Sequence, residues 1–169
     1  RAAERVSFGE LKRNIGRTAS LLCSHGIGRN DAVAVLLPAV PAIYWSILGA
    51  MAAAIVFPVN WMLEPKYVLR LIKEANVKAV IALGPTPGFQ IWEALTQVAA
   101  DLPSGVKIWS VPGPGGTLLP DSDLEAALDG NPEKAIWSDA VAGDNIAALV
   151  HSGGTTGLCV GHVAPEAVD

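Results

Sequence analysis

The stretch AVAVLLPAVPAIYWSILGAMAAAIVFPVNWML, residues 32–63, carries no charged side chain, and its reading decides the fold. A helix that spans a bilayer needs roughly 20 uninterrupted apolar residues. Here Pro38, Pro41 and Pro58 cut the run, and the longest piece, Ala42 to Phe57, contains Ser46 and Gly49. The better parse is a buried strand at Val33 to Leu37, a helix opened by Pro41, and a second strand around Ile55 to Val59. Parallel strands covered on both faces read as continuous apolar runs, and an Ala-rich helix packs closely on a sheet. A membrane-inserted helix is the competing reading of the same residues.

Upstream, Ser7-Phe8-Gly9-Glu10 has the S-x-x-E form of a capping box, which opens a helix. Phe8, Leu11, Ile15, Ala19 and Leu22 recur at three and four residues and predict its apolar stripe. Gly26 falls where a left-handed C-terminal cap is expected. Downstream, Glu64-Pro65 starts a helix with Val68, Ile72 and Ala75 inward. A third strand is expected at Ala79 to Leu83, ended by Gly84-Pro85-Thr86-Pro87-Gly88. A helix with Ile91, Leu95 and Val98 on one side follows, then a fourth strand at Val106 to Val111 and a Pro/Gly loop at Pro112 to Gly116. Ser122-x-x-Glu125 repeats the capping signature before a short helix ending near Gly130. After a polar stretch to Asn145, Ile146 to Val150 is a fifth strand. Strand and helix alternate throughout, which predicts an α/β fold with a mainly parallel sheet flanked by helices in three layers.

The 169 residues are 51% hydrophobic and 17% charged, which excludes disorder, because apolar burial then offsets the entropy of ordering. Lys and Arg total 12 against 16 Asp and Glu, a net charge of −4 without a basic cluster, so nucleic acid and anionic membranes are poor partners. Two cysteines, Cys23 and Cys159, form no disulfide framework and fit a reducing compartment, giving a cytoplasmic expectation. Arg1 to Phe8 has no apolar run of the signal-peptide kind.

The fifth strand runs directly into Ser152-Gly153-Gly154-Thr155-Thr156-Gly157, the one segment with legible chemistry. Its glycines let the backbone approach a ligand closely, its hydroxyls add donors, and amides converging after a buried strand suit phosphate oxygens. An ordinary Gly/Ser/Thr turn has the same composition. The segment is not a Walker loop, since Leu158 stands where a Lys is required, and no G-x-G-x-x-G can be laid over it. His151-Ser152-Gly153 does not supply the G-x-S-x-G of a hydrolase nucleophile.

Other candidates are weaker. Cys159-x-x-His162 is half a metal site with no second pair, since His25 and His151 stand alone, so no protein metal ligands are expected. Cys23, near the apolar stripe, reads as packing rather than as a nucleophile. His151 reads equally as a substrate neighbour or a structural histidine. Trp45, Trp61, Trp92, Trp109 and Trp137 read as core or interface packing. No catalytic residue is singled out.

Ser152 to Leu158 resembles the phosphate-binding loop of the adenylate-forming enzymes, whose pattern reads [YFH]-[TS]-[SG]-G-[TS]-T-G-x-P-K-G after a hydrophobic strand. The likeness extends upstream. Ser7 to Leu11, His25-Gly26-Ile27-Gly28 and Asp31 to Pro38 look like the family's opening helix and first strand. Ile47 to Asn60, with Phe57-Pro58-Val59-Asn60, looks like its next helix and "P-x-N" strand. The resemblance implies that residues 1–169 are an incomplete N-terminal subdomain of an acyl-CoA synthetase, with no second domain. It implies ATP, Mg²⁺, a small carboxylic acid and coenzyme A as reactants and cofactors, and a place in processes such as fatty acid metabolism. Ser152, Gly153, Gly154, Thr155, Thr156 and Gly157 would be the phosphate-binding positions. Where the family has Pro-Lys-Gly this chain has Cys159-Val160-Gly161, so the loop's cation is missing, and the family's later motifs are absent. The fragment alone is therefore expected to be inactive. A sheet cut from a larger domain is also expected to leave an apolar face uncovered and to self-associate. The competing function is a flavodoxin-like, non-catalytic module that binds a phospholigand or a partner.

Overall fold

Hydrogen bonding inside the first helix begins at Ser7, whose Oγ accepts from the Glu10 amide at 3.2 Å while Glu10 Oε2 accepts from the Ser7 amide at 2.8 Å. The expected capping box is therefore formed. The structure, a computed structural model, describes residues 5–131, 146–152 and 159–163. In chain order the helices are α1 (Phe8–Ser24), α2 (Ala42–Ala53), α3 (Pro65–Glu74), α4 (Ile91–Gln97) and α5 (Leu124–Asp129). The strands are β1 (Ala32–Leu36), β2 (Ile55–Pro58), β3 (Val77–Leu83), β4 (Lys107–Val111), β5 (Ala148–Ser152) and β6 (Cys159–Val163).

The strands form one sheet in the order β4-β3-β1-β2-β5-β6. The first five run parallel, and β6 is antiparallel to β5 at one edge. Helix α1 packs on α2 and α5, whereas α3 packs on α4. Right-handed crossovers place these two groups on opposite faces, giving the expected three-layer α/β fold. Every residue of β1 is buried, and β3 is buried except at Lys78, so the central strands are covered on both sides as their unbroken apolar runs require.

Residues 32–63 resolve as expected into strand, helix and strand, with Pro41 at the N-cap of α2. No described helix is long and apolar enough to cross a membrane. Gly26 takes φ +73°, the left-handed cap that glycine accepts without a Cβ penalty.

Several local expectations need correction. The stripe on α1 is buried only in its second half: Ala19 and Leu22 are in the core, Leu11 and Ile15 are half-buried, and Phe8 is exposed. Cys23 is exposed on α1 rather than packed. The cap of α5 is Asp123, whose carboxylate accepts from the amides of Glu125 and Ala126 at 3.3 Å. Ser122 is turned away because its Oγ lies 3.0 Å from Ser110 Oγ. Exposed apolar side chains among the described residues include Tyr44, Leu48 and Met51 on the outer side of α2 and Val150 on β5. The polar stretch before Asn145 and Trp137 lie outside the described residues.

Candidate functional site

In an open parallel sheet, ligands bind beyond the carboxyl ends of the strands, where connections leave toward opposite faces. Here β1 leads through α2 to one neighbour, while β2 leads through α3 across β1 to the other side. The carboxyl edge of β1, β2, β3 and β5 is therefore the candidate site.

Strand β5 lies beside β2, with Val56 opposite Ala148 and the Val56 amide donating to the Ala147 carbonyl at 3.1 Å. At its carboxyl end, Ser152 pairs with Cys159 across the β5–β6 ladder. That pairing brings the backbone on either side of the glycine-rich segment together at this edge. Of the expected phosphate-binding positions, Ser152 is the last residue of β5. Gly153, Gly154, Thr155, Thr156 and Gly157 lie outside the described residues. Val160, where the resemblance would want a lysine, pairs with His151 in β6. The sequence did not announce β6, because Cys159-Val160-Gly161-His162 has neither a long apolar run nor the expected motif.

His151 is half-buried at this edge and joined to the strand next door. Its Nε2 accepts from the Asn60 amide at 3.0 Å, which places the proton of the neutral ring on Nδ1. Its ring meets Phe57 edge-on, with centroids 6.2 Å apart. Asn60 Oδ1 in turn accepts from the Met62 amide at 3.0 Å, closing a local turn. The Val59 amide donates to the Val35 carbonyl at 3.0 Å, which extends the lacing to β1. The Pro58-Val59-Asn60 exit of β2 is thereby fixed against the strand that enters the glycine-rich segment.

Two further walls come from the Pro/Gly loops. Thr86 Oγ1 donates to the Gly84 carbonyl at 2.9 Å and accepts from the Gly113 amide at 3.2 Å. A Cβ on Gly113 would lie 2.6 Å from Thr86 Cγ2, so that approach requires glycine. A groove of about 660 Å³ opens on the α3–α4 side, lined among others by Trp61, Met62, Glu64, Phe89 and Gln90. Trp61 and Phe89 meet edge-on there at 5.5 Å. A second groove, about 720 Å³, lies between α1, the start of α2 and the loop after β4, and includes Arg5, Arg13, Arg17 and Trp45. Arg17 is held by Asp129 at 3.1 Å.

The tryptophans among the described residues serve packing. Trp45 and Trp109 are buried, Trp61 and Trp92 rest against the core, and His25 meets Trp109 edge-on at 5.3 Å. Among the described residues no group of three His, Cys, Asp or Glu side chains could hold a metal ion. Thr86 and the His151–Asn60 bond were missed by sequence reasoning. Only the P-x-N pattern marked Asn60, and nothing local marked Thr86.

The family model described as "AMP-binding enzyme" matches residues 1–161. Among curated proteins, a 3-hydroxybenzoate–CoA ligase of Aromatoleum sp. (strain CIB) is 28% identical over 156 residues, covering 92% of this chain and 28% of that protein. A marinolic acid–CoA ligase of Pseudoalteromonas sp. (strain SANK 73390) is 28% identical over 149 residues, covering 87% and 22% respectively. Among solved structures, a long-chain-fatty-acid–CoA ligase from Archaeoglobus fulgidus superposes with a TM-score of 0.78 at 18% identity, over 96% of this chain and 30% of that one. The chain thus spans under a third of the length of the curated relatives it matches.

Proposed function

The chain belongs to the AMP-binding enzyme family, and from that premise we propose that it is the N-terminal subdomain of the adenylating body of an ATP-dependent acid–thiol ligase. In the whole enzyme a substrate carboxylate oxygen attacks the α-phosphorus of ATP. The bond between the α-phosphorus and the bridging oxygen breaks, and pyrophosphate leaves with the electron pair. The sulfur of coenzyme A then attacks the acyl carbon, and AMP leaves. Two curated relatives are named as CoA ligases of carboxylic acids, which supports an acid and coenzyme A as substrates.

The observation that carries this reading is the position of Ser152. It ends a parallel strand beside β2 at the carboxyl edge of the sheet, immediately before the glycine-rich segment. Ser152, Gly153, Gly154, Thr155, Thr156 and Gly157 are proposed to hold the β- and γ-phosphates through backbone amides and hydroxyls. Donors fixed in advance stabilise charge on the departing pyrophosphate without reorganising. His151 and Asn60 fix the strand end that presents them. Mg²⁺ would supply charge neutralisation at those phosphates when bound.

The 169-residue chain by itself is proposed to be inactive in adenylation. Val160 brings no cation to the loop, and the family's later motifs are not in this sequence. A cytoplasmic setting is consistent with its composition.

Titration of the chain with Mg-ATP, followed by the amide resonances of residues 152–157, tests the phosphate site. Shifts confined to those amides and Asn60 are expected. Selective response to a different phospholigand would instead favour the non-catalytic module.

A further inference from the structure

Helix α2 is apolar on every side, which is the pattern of a helix buried all round. Its outer side is nevertheless exposed: Tyr44 at 61%, Leu48 at 42% and Met51 at 41%, spaced four and three residues apart on one face. At the start of this face the Phe8 side chain stands 91% exposed. That ring is itself one wall of an apolar hollow of about 370 Å³, whose other walls include Val6, Leu11, Val40, Pro41, Tyr44 and Trp45. A projecting aromatic ring thus borders an open apolar hollow on one surface.

We propose that this face is a self-association surface, where two copies of the chain pair about a two-fold axis with each Phe8 seated in the other's hollow and the α2 faces in contact. Two features select a second copy as the occupant. A two-fold interface requires a surface that complements itself, and an adjacent knob and hollow provide that. The exposed parts of Val6, Phe8, Tyr44, Leu48 and Met51 amount to roughly 500 Å² per copy, so a pair buries at most about 1,000 Å² through them, the size of a weak interface. Charge points the same way. Residues 32–63 contain no charged side chain, so a second α2 adds no unpaired charge to the contact. A lipid surface is a poorer occupant, because α2 has no Lys or Arg to meet headgroups and the chain carries a net charge of −4.

Sedimentation equilibrium of the chain between about 1 and 200 µM tests this, with a dimer constant on the order of 10–100 µM expected for so small an interface. Leu48→Glu places a charge at the middle of the face and is expected to leave only monomer. Phe8→Ala is expected to weaken dimerisation at least about fivefold. Met62→Glu, at an exposed apolar residue beside the other groove, is expected to change nothing. Circular dichroism melts confirm that each variant is folded, and these exposed sites tolerate such changes. A wild-type chain that stays monomeric at the highest concentration overturns the proposal. So does a dimer that ignores both Leu48→Glu and Phe8→Ala, or one that Met62→Glu breaks equally. Binding of the monomer to neutral phosphatidylcholine vesicles through the same residues would assign the face to lipid and overturn it too. These outcomes do not depend on nucleotide binding.

Discussion

The contact between α1 and α2 gives a prediction whose sign runs against helix propensity. Gly49 lies inside α2, where replacement by Ala ordinarily stabilises by about 1 kcal/mol. A Cβ at this position would fall 2.5 Å from Thr18 Cβ, 2.8 Å from Thr18 Cγ2 and 3.0 Å from the Ile15 carbonyl oxygen. Thr18 cannot swing away cheaply: it is fully buried, and its Oγ1 donates to the Asn14 carbonyl at 2.8 Å. The helices would have to part by about 1 Å to restore ordinary contact, loosening the packing of Ala19, Leu22 and Ala50. Overpacking of this kind costs about 1–3 kcal/mol. The steric cost falls at the upper end, because the nearest atoms belong to a backbone and a β-branched stem. Set against the propensity gain, Gly49→Ala should destabilise by about 2 kcal/mol and lower the melting midpoint by roughly 4–8 °C. Urea unfolding followed by tryptophan fluorescence measures it. Gly9→Ala is the matched control: its Cβ meets only Ser7 Oγ at 3.9 Å, so it should be neutral or stabilise by up to about 1 kcal/mol. Combining Gly49→Ala with Thr18→Gly should recover about 1 kcal/mol or more of coupling. Gly49→Ala as stable as the parent chain would refute the reasoning.

Four shorter predictions follow from the same structure. Glu10 is held below the usual carboxylate range by its hydrogen bonds to the Ser7 amide and then the Ser7 hydroxyl, with Arg13 contributing charge. A lowered folded-state pKa stabilises above the unfolded value and is lost as pH falls through the folded one. The stability difference between the parent and Glu10→Gln should therefore shrink on acidification below about pH 4, as melts across a pH series would show. Asp123→Ala removes the cap of α5 and should cost about 1 kcal/mol, while Ser122→Ala costs less; equal losses in urea unfolding would restore Ser122 as the cap. Val160→Lys should tighten Mg-ATP binding severalfold by calorimetry, and no gain would count against the loop's proposed role. Carboxylate-dependent pyrophosphate exchange by the chain alone should be absent, and clear exchange would show that 169 residues suffice.

The sheet was readable because its signals are local. Four runs, near residues 32–37, 55–59, 79–83 and 106–111, are apolar and punctuated by Pro or Gly, and each became a parallel strand within a residue or two. The Ser7–Glu10 cap and the Gly26 turn also depend only on neighbours in sequence. The same local logic failed at Ser122, where a hydroxyl from Ser110, twelve residues away, competes for the side chain. It failed at Phe8, whose place in the helical stripe says nothing about whether any element lies opposite. At the site, the glycine-rich segment was legible from composition and resemblance. The partners of its entry strand were not, because the Asn60–His151 bond closes a loop of 91 residues.

By itself, then, the sequence determined the order of strands and helices, the caps that bound them and the family to which the glycine-rich segment points. Periodicity, proline placement and side-chain capping act over a few residues, so they survive in the unfolded string. The tertiary structure decided which strands are neighbours, that His151 braces the exit of β2, that Gly113 must yield to Thr86, and that the outer side of an all-apolar helix faces solvent. Each of these depends on bringing distant segments within van der Waals or hydrogen-bond range, a matter of chain closure and packing that no local pattern encodes.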